Sequence, residues 1–418
     1  MASFQKTEAG RSLSRVVRDA YTNLHTRAAD GAFVIWIAIN VPAEIFSGFD
    51  DVVYGVPESH AALNAAKGVG ALQCEKAEQL GYSTDLCAYA RIDIGCASDQ
   101  FRDSPTLGLP KPHLLVSNTN NCTLLAKWFD VHHREMGVPH FILDVPFCYT
   151  TQKKKDRDYI RMQFHDLIRL IERMSGQRCD MDRVAQAVSA TDEGLGWWKR
   201  FLGFAENRPS GITAFDAFVQ MAPFLIVRGT PPFVAHYRLL AEETANRMES
   251  GDFPVPDEQY RLFWDNIAPW HQLRDMSETL ASLKANIVGA TYTSCIGSVE
   301  GRFDHYAYDG GDPLVHLART QNAYVCPHGM GLRSKAMTEA VERLGIDGIV
   351  FAGNRSCKPY SLTQFAQQRR VAEATGVPSV TIDVDHADVR KYSKENTFTR
   401  LEALIEAIDM KRSGRLAM

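Results

Sequence analysis

Two cysteines stand at matching points of two similar stretches. In HLLVSNTNNCTLLAKWFDVHHREMGVPHFILDV, from His113 to Val145, an apolar strand passes through an Asn-containing polar turn to Cys122. In GIVFAGNRSCKPYSLTQFAQQRRVAEATGVPSVTIDV, from Gly348 to Val384, the same order leads to Cys357. Each stretch goes on as an amphipathic helix, Gly-Val-Pro and a second apolar strand. A cysteine placed where a strand hands over to a helix meets unpaired N–H groups and the positive end of the helix dipole. Both favour the thiolate, the form that attacks electrophiles and binds metals. Cys87, in DLCAYAR, has a polar context of the same kind but no repeat behind it. A solitary cysteine is more often buried and inert. Cys74, Cys96, Cys148, Cys179, Cys295 and Cys326 are read that way, and Cys326, in YVCPHGM, fits it least well.

The chain has nine cysteines, an odd number, and no Cys-x-x-Cys pair. That argues against a disulfide framework and against ribbon-type zinc sites. Any cysteine-bound metal must gather ligands from distant segments. Three converging thiolates suit an iron–sulfur cluster better than zinc. With three rather than four, one iron stays open and can act as a Lewis acid on an oxygen. Net charge is −4, which gives no basic footprint for nucleic acid. No 18-residue apolar run is present, and the first 30 residues lack the apolar core of a signal peptide, so a cytoplasmic protein without membrane contact is expected.

Alternating strand and helix patterns predict α/β architecture with parallel sheets. Residues 1–30 read as one or two helices. Residues 31–150 form a first α/β domain that opens with FVIWIAINVPAEIF, includes the short strand and loop VVYGVPE, and is helical from Ser59 to Gly81. Residues 151–259 are a helical segment interrupted at NRPSG and RGTPP. Residues 260–418 form a second α/β domain, with RLFWDNIAPW read as irregular and NIVGATYTS as a strand. Two similar domains facing each other would put Cys122 and Cys357 beyond the carboxyl ends of their strands, where such sheets bind ligands.

Several segments then carry a resemblance: VPESHAAL, GYSTDLCAYARIDIG, NTNNCTLLAKWFD, NRPSG with its later RGT, NRSCKPYS and the tail IDVDHADVRKYS…TRLEALIE. Together they resemble the benzoyl-CoA reductase and 2-hydroxyacyl-CoA dehydratase family, from about residue 31 to the C-terminus. The resemblance implies two flavodoxin-like domains and a [4Fe-4S] cluster held by Cys87, Cys122 and Cys357. It also implies a homologous second catalytic subunit, and a separate iron–sulfur ATPase that spends ATP to inject one low-potential electron. The substrate implied is a CoA thioester, reduced through a ketyl-like radical.

Within the family, the dehydratase subunit that binds substrate carries a serine before the Pro-Glu turn. Aligned on Trp36 and Pro42, Ile39 stands in that place, and it cannot hydrogen-bond a hydroxyl through its side chain. ATYTSCIGSVEGRFDHYAYDGGDPLVHLA and IDMKRSG resemble the larger subunit of ATP-dependent benzoyl-CoA reductase. NRSCKPYS and FDAFVQMAPFLIVR resemble the dehydratases. The preferred expectation is reductive dearomatisation of an aryl-CoA, with dehydration of a 2-hydroxyacyl-CoA second. A cluster-bearing electron-transfer protein or non-CoA reductase is third, with Cys326 and Cys96 as extra ligands of a larger cluster.

Glu58 is the candidate proton donor or orienter near the cluster, weighed against an ordinary loop carboxylate. His305 and His316 are candidate acids or bases but are read as structural. Trp264, Trp270 and Phe263 are candidate pocket walls, weighed against plain core. Arg355 and Lys358 flank Cys357 and would ease its charge. His132 and His133 have no metal-ligand spacing.

Overall fold

The computed structural model describes residues 7–300, 302–322 and 328–415. Its first parallel sheet contains β1 (Phe33–Ile37), β2 (Val52–Gly55), β3 (Leu114–Asn118) and β4 (His140–Leu143), in the order β2-β1-β3-β4. Its second contains β5 (Tyr260–Asp265), β6 (Ala285–Ala290), β7 (Gly348–Asn354) and β8 (Ser379–Val384), in the order β6-β5-β7-β8. The two orders are the same, so the halves share one doubly wound, flavodoxin-like topology. In each, the winding reverses between the first and third strand, the point beyond which such sheets bind ligands. Strands FVIWI and GIVFAGN are buried along nearly their whole length because helices cover both faces of each sheet.

The helices are α1 (Glu8–Ala29), α2 (Pro57–Ala66), α3 (Gly70–Gln79), α4 (Ala88–Ser98), α5 (Thr123–Met136) and α6 (Lys154–Ser175) on the first-domain side. A helical layer of α7 (Met181–Gly203), α8 (Ala214–Val219), α9 (Ala222–Ile226) and α10 (Pro231–Glu249) follows. The rest are α11 (Leu273–Ser282), α12 (Thr291–Ser294), α13 (Pro313–Thr320), α14 (Met330–Leu344), α15 (Lys358–Ser361), α16 (Gln364–Thr375) and α17 (Lys394–Arg412). Two cores result. Ile160, Phe164 and Leu167 of α6 pack with β1–β4, and Trp198, Phe201, Phe233 and Tyr237 of α7 and α10 pack with β5–β8. Helix α13 reaches back to the first core through Leu314 and Leu317.

Four local expectations change. RLFWD is not irregular but belongs to β5, an interior strand of its sheet. Its polar residue Arg261 is buried and satisfied by Glu258 and by the carbonyls of Leu344, Asn207 and Ala205, so a position that looks exposed belongs to the interior. The strand in NIVGATYTS stops at Ala290, and Thr291–Ser294 turn into α12. The helical stretch from Ser59 to Gly81 is two helices, broken at Gly68, whose φ of +81° suits glycine. Glu58 is not in a loop: Pro57 starts α2, and Glu58 sits in its first turn.

Candidate active site between the two domains

Cys87, Cys122 and Cys357 share one local geometry. Each is the residue immediately before a helix: α4, α5 and α15 respectively. First-turn N–H groups act on two of the sulfurs, those of Ala90 and Tyr89 on Cys87 and those of Leu125 and Leu124 on Cys122. The sequence dictates the placement at Cys122 and Cys357, because each follows the third strand of its sheet at the switch point. Cys87 comes to the same place from α4.

Side-chain contacts join the Cys87 and Cys357 segments across the domain boundary, and Cys122 is an electrostatic neighbour of Cys87. The Ala88 N–H donates to Ser356 Oγ at 3.2 Å, joining the residue after Cys87 to the residue before Cys357. Ser356 Oγ in turn donates to Asp385 Oδ2 at 2.7 Å. Cys87 Sγ lies 3.7 Å from His386 Nε2. Burial, and then the neighbouring Cys122, push the Cys87 thiol up to about 12. Burial also raises Cys122, against the pull of the Leu125 and Leu124 N–H groups, with Glu58 raising it further. The helix ends alone therefore do not hold these two as thiolates: desolvation outweighs them, contrary to the expectation from their placement. Among the described residues, no three His, Cys, Asp or Glu side chains are placed to share one metal ion.

Three helices on the first-domain side are tied by one carboxylate. Asp93 of α4 lies 2.6 Å from His132 Nε2 and accepts from Trp128 Nε1 at 2.8 Å, both on α5, and it lies 3.7 Å from His60 Nδ1 on α2. Burial alone would raise Asp93, but the two imidazoles hold it well below the usual carboxylate range. One buried anion thus fixes the helices that present Glu58, Cys87 and Cys122. The Arg228 of the RGT segment has a comparable task. It donates to the Val41 carbonyl at 2.6 Å and pairs with Glu44 at 3.1 Å, pinning the loop that carries Ile39.

A cavity of about 960 Å³ has Ile39, Glu58, Tyr89, Phe218, Trp270 and Tyr292 in its wall. Tyr89 connects it to the cysteines: Cys87 and Cys357 both act on its phenol, and its hydroxyl accepts from Trp270 Nε1. Its ring meets His386 edge-on at 4.4 Å. Glu58 is buried. Its Oε1 accepts from the Ile39 N–H at 3.0 Å, and Oε2 has no hydrogen-bond partner among the described residues. Burial pushes its carboxyl up to about 7, partly offset by the Ile39 N–H. Such a group can give or take a proton near neutral pH.

The other candidates fall elsewhere. Phe263 and Trp264 are plain core of the second domain, whereas Trp270 is a cavity wall. His305 pairs with Asp192 at 2.9 Å, and His316 stacks on Tyr306; neither lines the large cavity. Arg355 is held by Asp383, and Lys358 donates to the Arg355 carbonyl at 2.7 Å, so neither cation is directed to the Cys357 sulfur. His133 contacts the Val138 carbonyl at 2.6 Å. Cys74, Cys96, Cys148 and Cys295 are buried, and Cys179 is half-buried. Cys96 lies nine residues along α4 from Cys87, roughly 14 Å at 1.5 Å per residue, too far to join a shared site. Cys326 lies outside the described residues. Reading residue types missed Tyr89, Ser356, Asp385 and His386. Their signal is positional: all lie one or two residues from Cys87, Cys357 or the end of β8.

These features define a class: a two-domain α/β protein with a cysteine at each switch point and a third brought in from a helix start. The chain belongs to the family described as 2-hydroxyglutaryl-CoA dehydratase, D-component, which it matches over residues 38–408. It is 30% identical to the (R)-phenyllactyl-CoA dehydratase alpha subunit of Clostridium sporogenes, covering 92% of this chain and 91% of the relative. It is also 30% identical to the (R)-2-hydroxyisocaproyl-CoA dehydratase alpha subunit of Clostridioides difficile, covering 98% of each. A benzoyl-CoA reductase subunit of Thauera aromatica is 28% identical, covering 87% of this chain and 86% of the relative. Among the described residues, no helix is long and apolar enough to cross a membrane.

Proposed function

We propose that this chain is an iron–sulfur subunit of a (R)-2-hydroxyacyl-CoA dehydratase. The observation that carries the reading is the junction of the cysteines with the cavity through Glu58 and Tyr89. The full-length likeness to two dehydratase alpha subunits supports this reaction over the aryl-CoA reduction preferred from sequence. The side chain of Ile39 cannot replace a serine hydroxyl. Its N–H instead holds Glu58, and the cavity wall keeps hydroxyls at Ser59 and Tyr89. The likeness to the benzoyl-CoA reductase subunit, together with Ile39 itself, keeps that reductase as the second reading.

A [4Fe-4S] cluster fits the donor set. The three cysteines come from separate segments, each before its own helix, and a cluster takes each thiolate on a different iron. Metal binding would also remove the thiol protons that burial favours. When bound, such a group supplies a low-potential electron and an open iron. Cys87, Cys122 and Cys357 would hold it, with first-turn N–H groups acting on the sulfurs of Cys87 and Cys122.

This chain's residues do the remainder. The apolar wall excludes water from the acyl group. Dehydration breaks the C2–O bond and a C3–H bond, and the hydroxyl leaves as water only with a proton. Glu58, buried at the wall and fixed by the Ile39 N–H, is placed to carry that proton. Tyr89, held by Trp270, orients the acyl end against the cysteine side. A homologous second subunit and an ATP-hydrolysing iron–sulfur activator complete the enzyme; the relatives are themselves named as subunits, which fits a multi-subunit assembly.

The test is product mass. The chain, its partner subunit and the activator are purified anaerobically and offered a 2-hydroxyacyl-CoA and benzoyl-CoA together, with ATP and a strong reductant. Loss of water from the hydroxyacyl-CoA supports the dehydratase. Gain of two hydrogens on benzoyl-CoA instead would establish the second reading.

A further inference from the structure

The cavity wall carries an aromatic patch. Phe218 stacks on Tyr292 at 5.9 Å and meets Trp270 edge-on at 6.0 Å, and Ile39 adds an aliphatic face. The wall also carries five carboxyl groups (Glu58, Asp216, Asp252, Asp275, Glu278) and two guanidiniums; burial makes Glu58 and Asp216 hold their protons more readily than free carboxyls, and Asp275 is paired with Lys394 at 2.7 Å. Of the two guanidiniums, Arg247 is engaged with Asp252 at 2.7 Å, and Arg274 is exposed. An acyl chain ending in a carboxylate would bring its charge against an aromatic wall that offers, among the described residues, no buried and unengaged cation to meet it. Burying an uncompensated charge is strongly unfavourable, whereas a branched or aromatic hydrocarbon gains from the same surface.

We infer that the site selects a neutral, apolar acyl group, branched aliphatic or aromatic, and rejects dicarboxylic acyl-CoA thioesters, with Phe218 and Ile39 setting the choice. This rests on the CoA-thioester reading above. The same wall distinguishes it from sites for short acyl groups, since a two-carbon chain leaves the rings uncovered.

The experiment is equilibrium binding by calorimetry to the anaerobically purified complex of this chain with its partner subunit. The probes are unreactive thioesters: 4-methylpentanoyl-CoA, 3-phenylpropanoyl-CoA, glutaryl-CoA and acetyl-CoA. The first two should bind at least about 100-fold more tightly than glutaryl-CoA, and about 10-fold or more above acetyl-CoA. Leu225→Arg, which puts a cation into the half-buried part of the wall, should narrow the preference against glutaryl-CoA by about 10-fold or more. Ala222→Arg serves the same purpose should Leu225→Arg fail to fold. Phe218→Leu should weaken 3-phenylpropanoyl-CoA by about 10-fold and leave 4-methylpentanoyl-CoA nearly unchanged. Equal binding of all four thioesters, or a preference for glutaryl-CoA, would overturn the inference and leave the CoA-thioester reading standing. If neither CoA nor any thioester binds, the reading beneath it falls, and the inference with it.

Discussion

Asn118 and Asn354 end equivalent strands and precede Cys122 and Cys357 by four and three residues, yet their surroundings differ. Asn354 is fully engaged. Its Nδ2 donates to the Ile267 carbonyl at 3.2 Å, and its Oδ1 accepts from the His386 N–H at 2.7 Å and faces His386 Nδ1 at 3.0 Å. Its own carbonyl accepts from the Cys357 N–H and from Ser361 Oγ. With Ser356 on Asp385, the second turn is braced from several sides. The first turn is held mainly at Thr119, against Asp144 and Val145, and at Asn120, against the Gln321 carbonyl. Both side-chain atoms of Asn118 are buried and have no hydrogen-bond partner among the described residues. Unpaired buried polar groups are uncommon and costly. The second turn is therefore a frame that sets Cys357 and Cys87 in register, while the first turn leaves the Asn118 amide unspent four residues before its cysteine.

The largest effect tests whether the two turns are equivalent in holding the bound group. Cys122→Ser and Cys357→Ser should each lose most iron and acid-labile sulfide from anaerobically purified protein. Activity of the assembled enzyme should fall by more than the about 100-fold that changes outside the ligand set produce. A full iron content in either variant would break the equivalence and reassign that cysteine to packing.

Next is the frame itself. Asn354→Ala removes the partner of a buried His386 N–H and of the Ile267 carbonyl, at about 1–3 kcal/mol for each group left unpaired. The thermal midpoint should drop by several degrees, and the Cys87 side of the site should loosen with it. An unchanged midpoint would show that the bracing is not what holds the second turn.

The brace continues to Asp388, which accepts from Arg91 of the first domain at 2.9 Å and from Arg390 at 2.8 Å. Burial opposes its charge, but these guanidiniums bring the Asp388 carboxyl down to about 2. A carboxyl lowered on folding stabilises fully above its unfolded value near 4, and that stability is lost as pH falls toward about 2. The contribution is about 2 kcal/mol. Thermal midpoints measured from pH 5 down to pH 2.5 should fall more steeply in the native protein than in Asp388→Asn. Parallel curves would remove Asp388 from the cross-domain lock.

How much of this is legible before folding depends on what kind of signal each residue carries. The two sheets and the Cys122 and Cys357 turns could be read because duplication puts a repeat into the sequence, and apolar strands in a parallel sheet are nearly continuous runs. Strand β5 was hidden by Arg261, whose side-chain partners come from residues up to 83 positions away. The helical position of Glu58 was hidden because Pro57 reads equally as a loop residue or as a helix start. Asp93 could not be seen as a hub, since its partners His60, Trp128 and His132 converge only when α2, α4 and α5 pack. The thiol protonation depends on burial, which no local motif encodes.

The smallest expected effect on stability sharpens the comparison most. Asn118 makes no side-chain hydrogen bond among the described residues, so Asn118→Ala strands no partner, unlike Asn354→Ala. It should therefore leave the thermal midpoint of the iron-free protein within about 1 °C of the native value, because a substitution that breaks no bond and removes an unsatisfied polar group is close to neutral. In the iron-loaded complex the outcome should differ. A lost donor next to a Cys122-bound group should weaken iron retention by about 10-fold, the lower end of what outer-shell partners contribute. Iron retention is read as the rate of loss to a chelator under anaerobic conditions. A midpoint that falls in the iron-free protein would mean that Asn118 is braced like Asn354, and the two turns would no longer differ. A neutral midpoint with unchanged iron retention would leave Asn118 unpaired but put the bound group's contacts elsewhere on the first turn, with Asn120 Oδ1 the next unpaired buried acceptor to test.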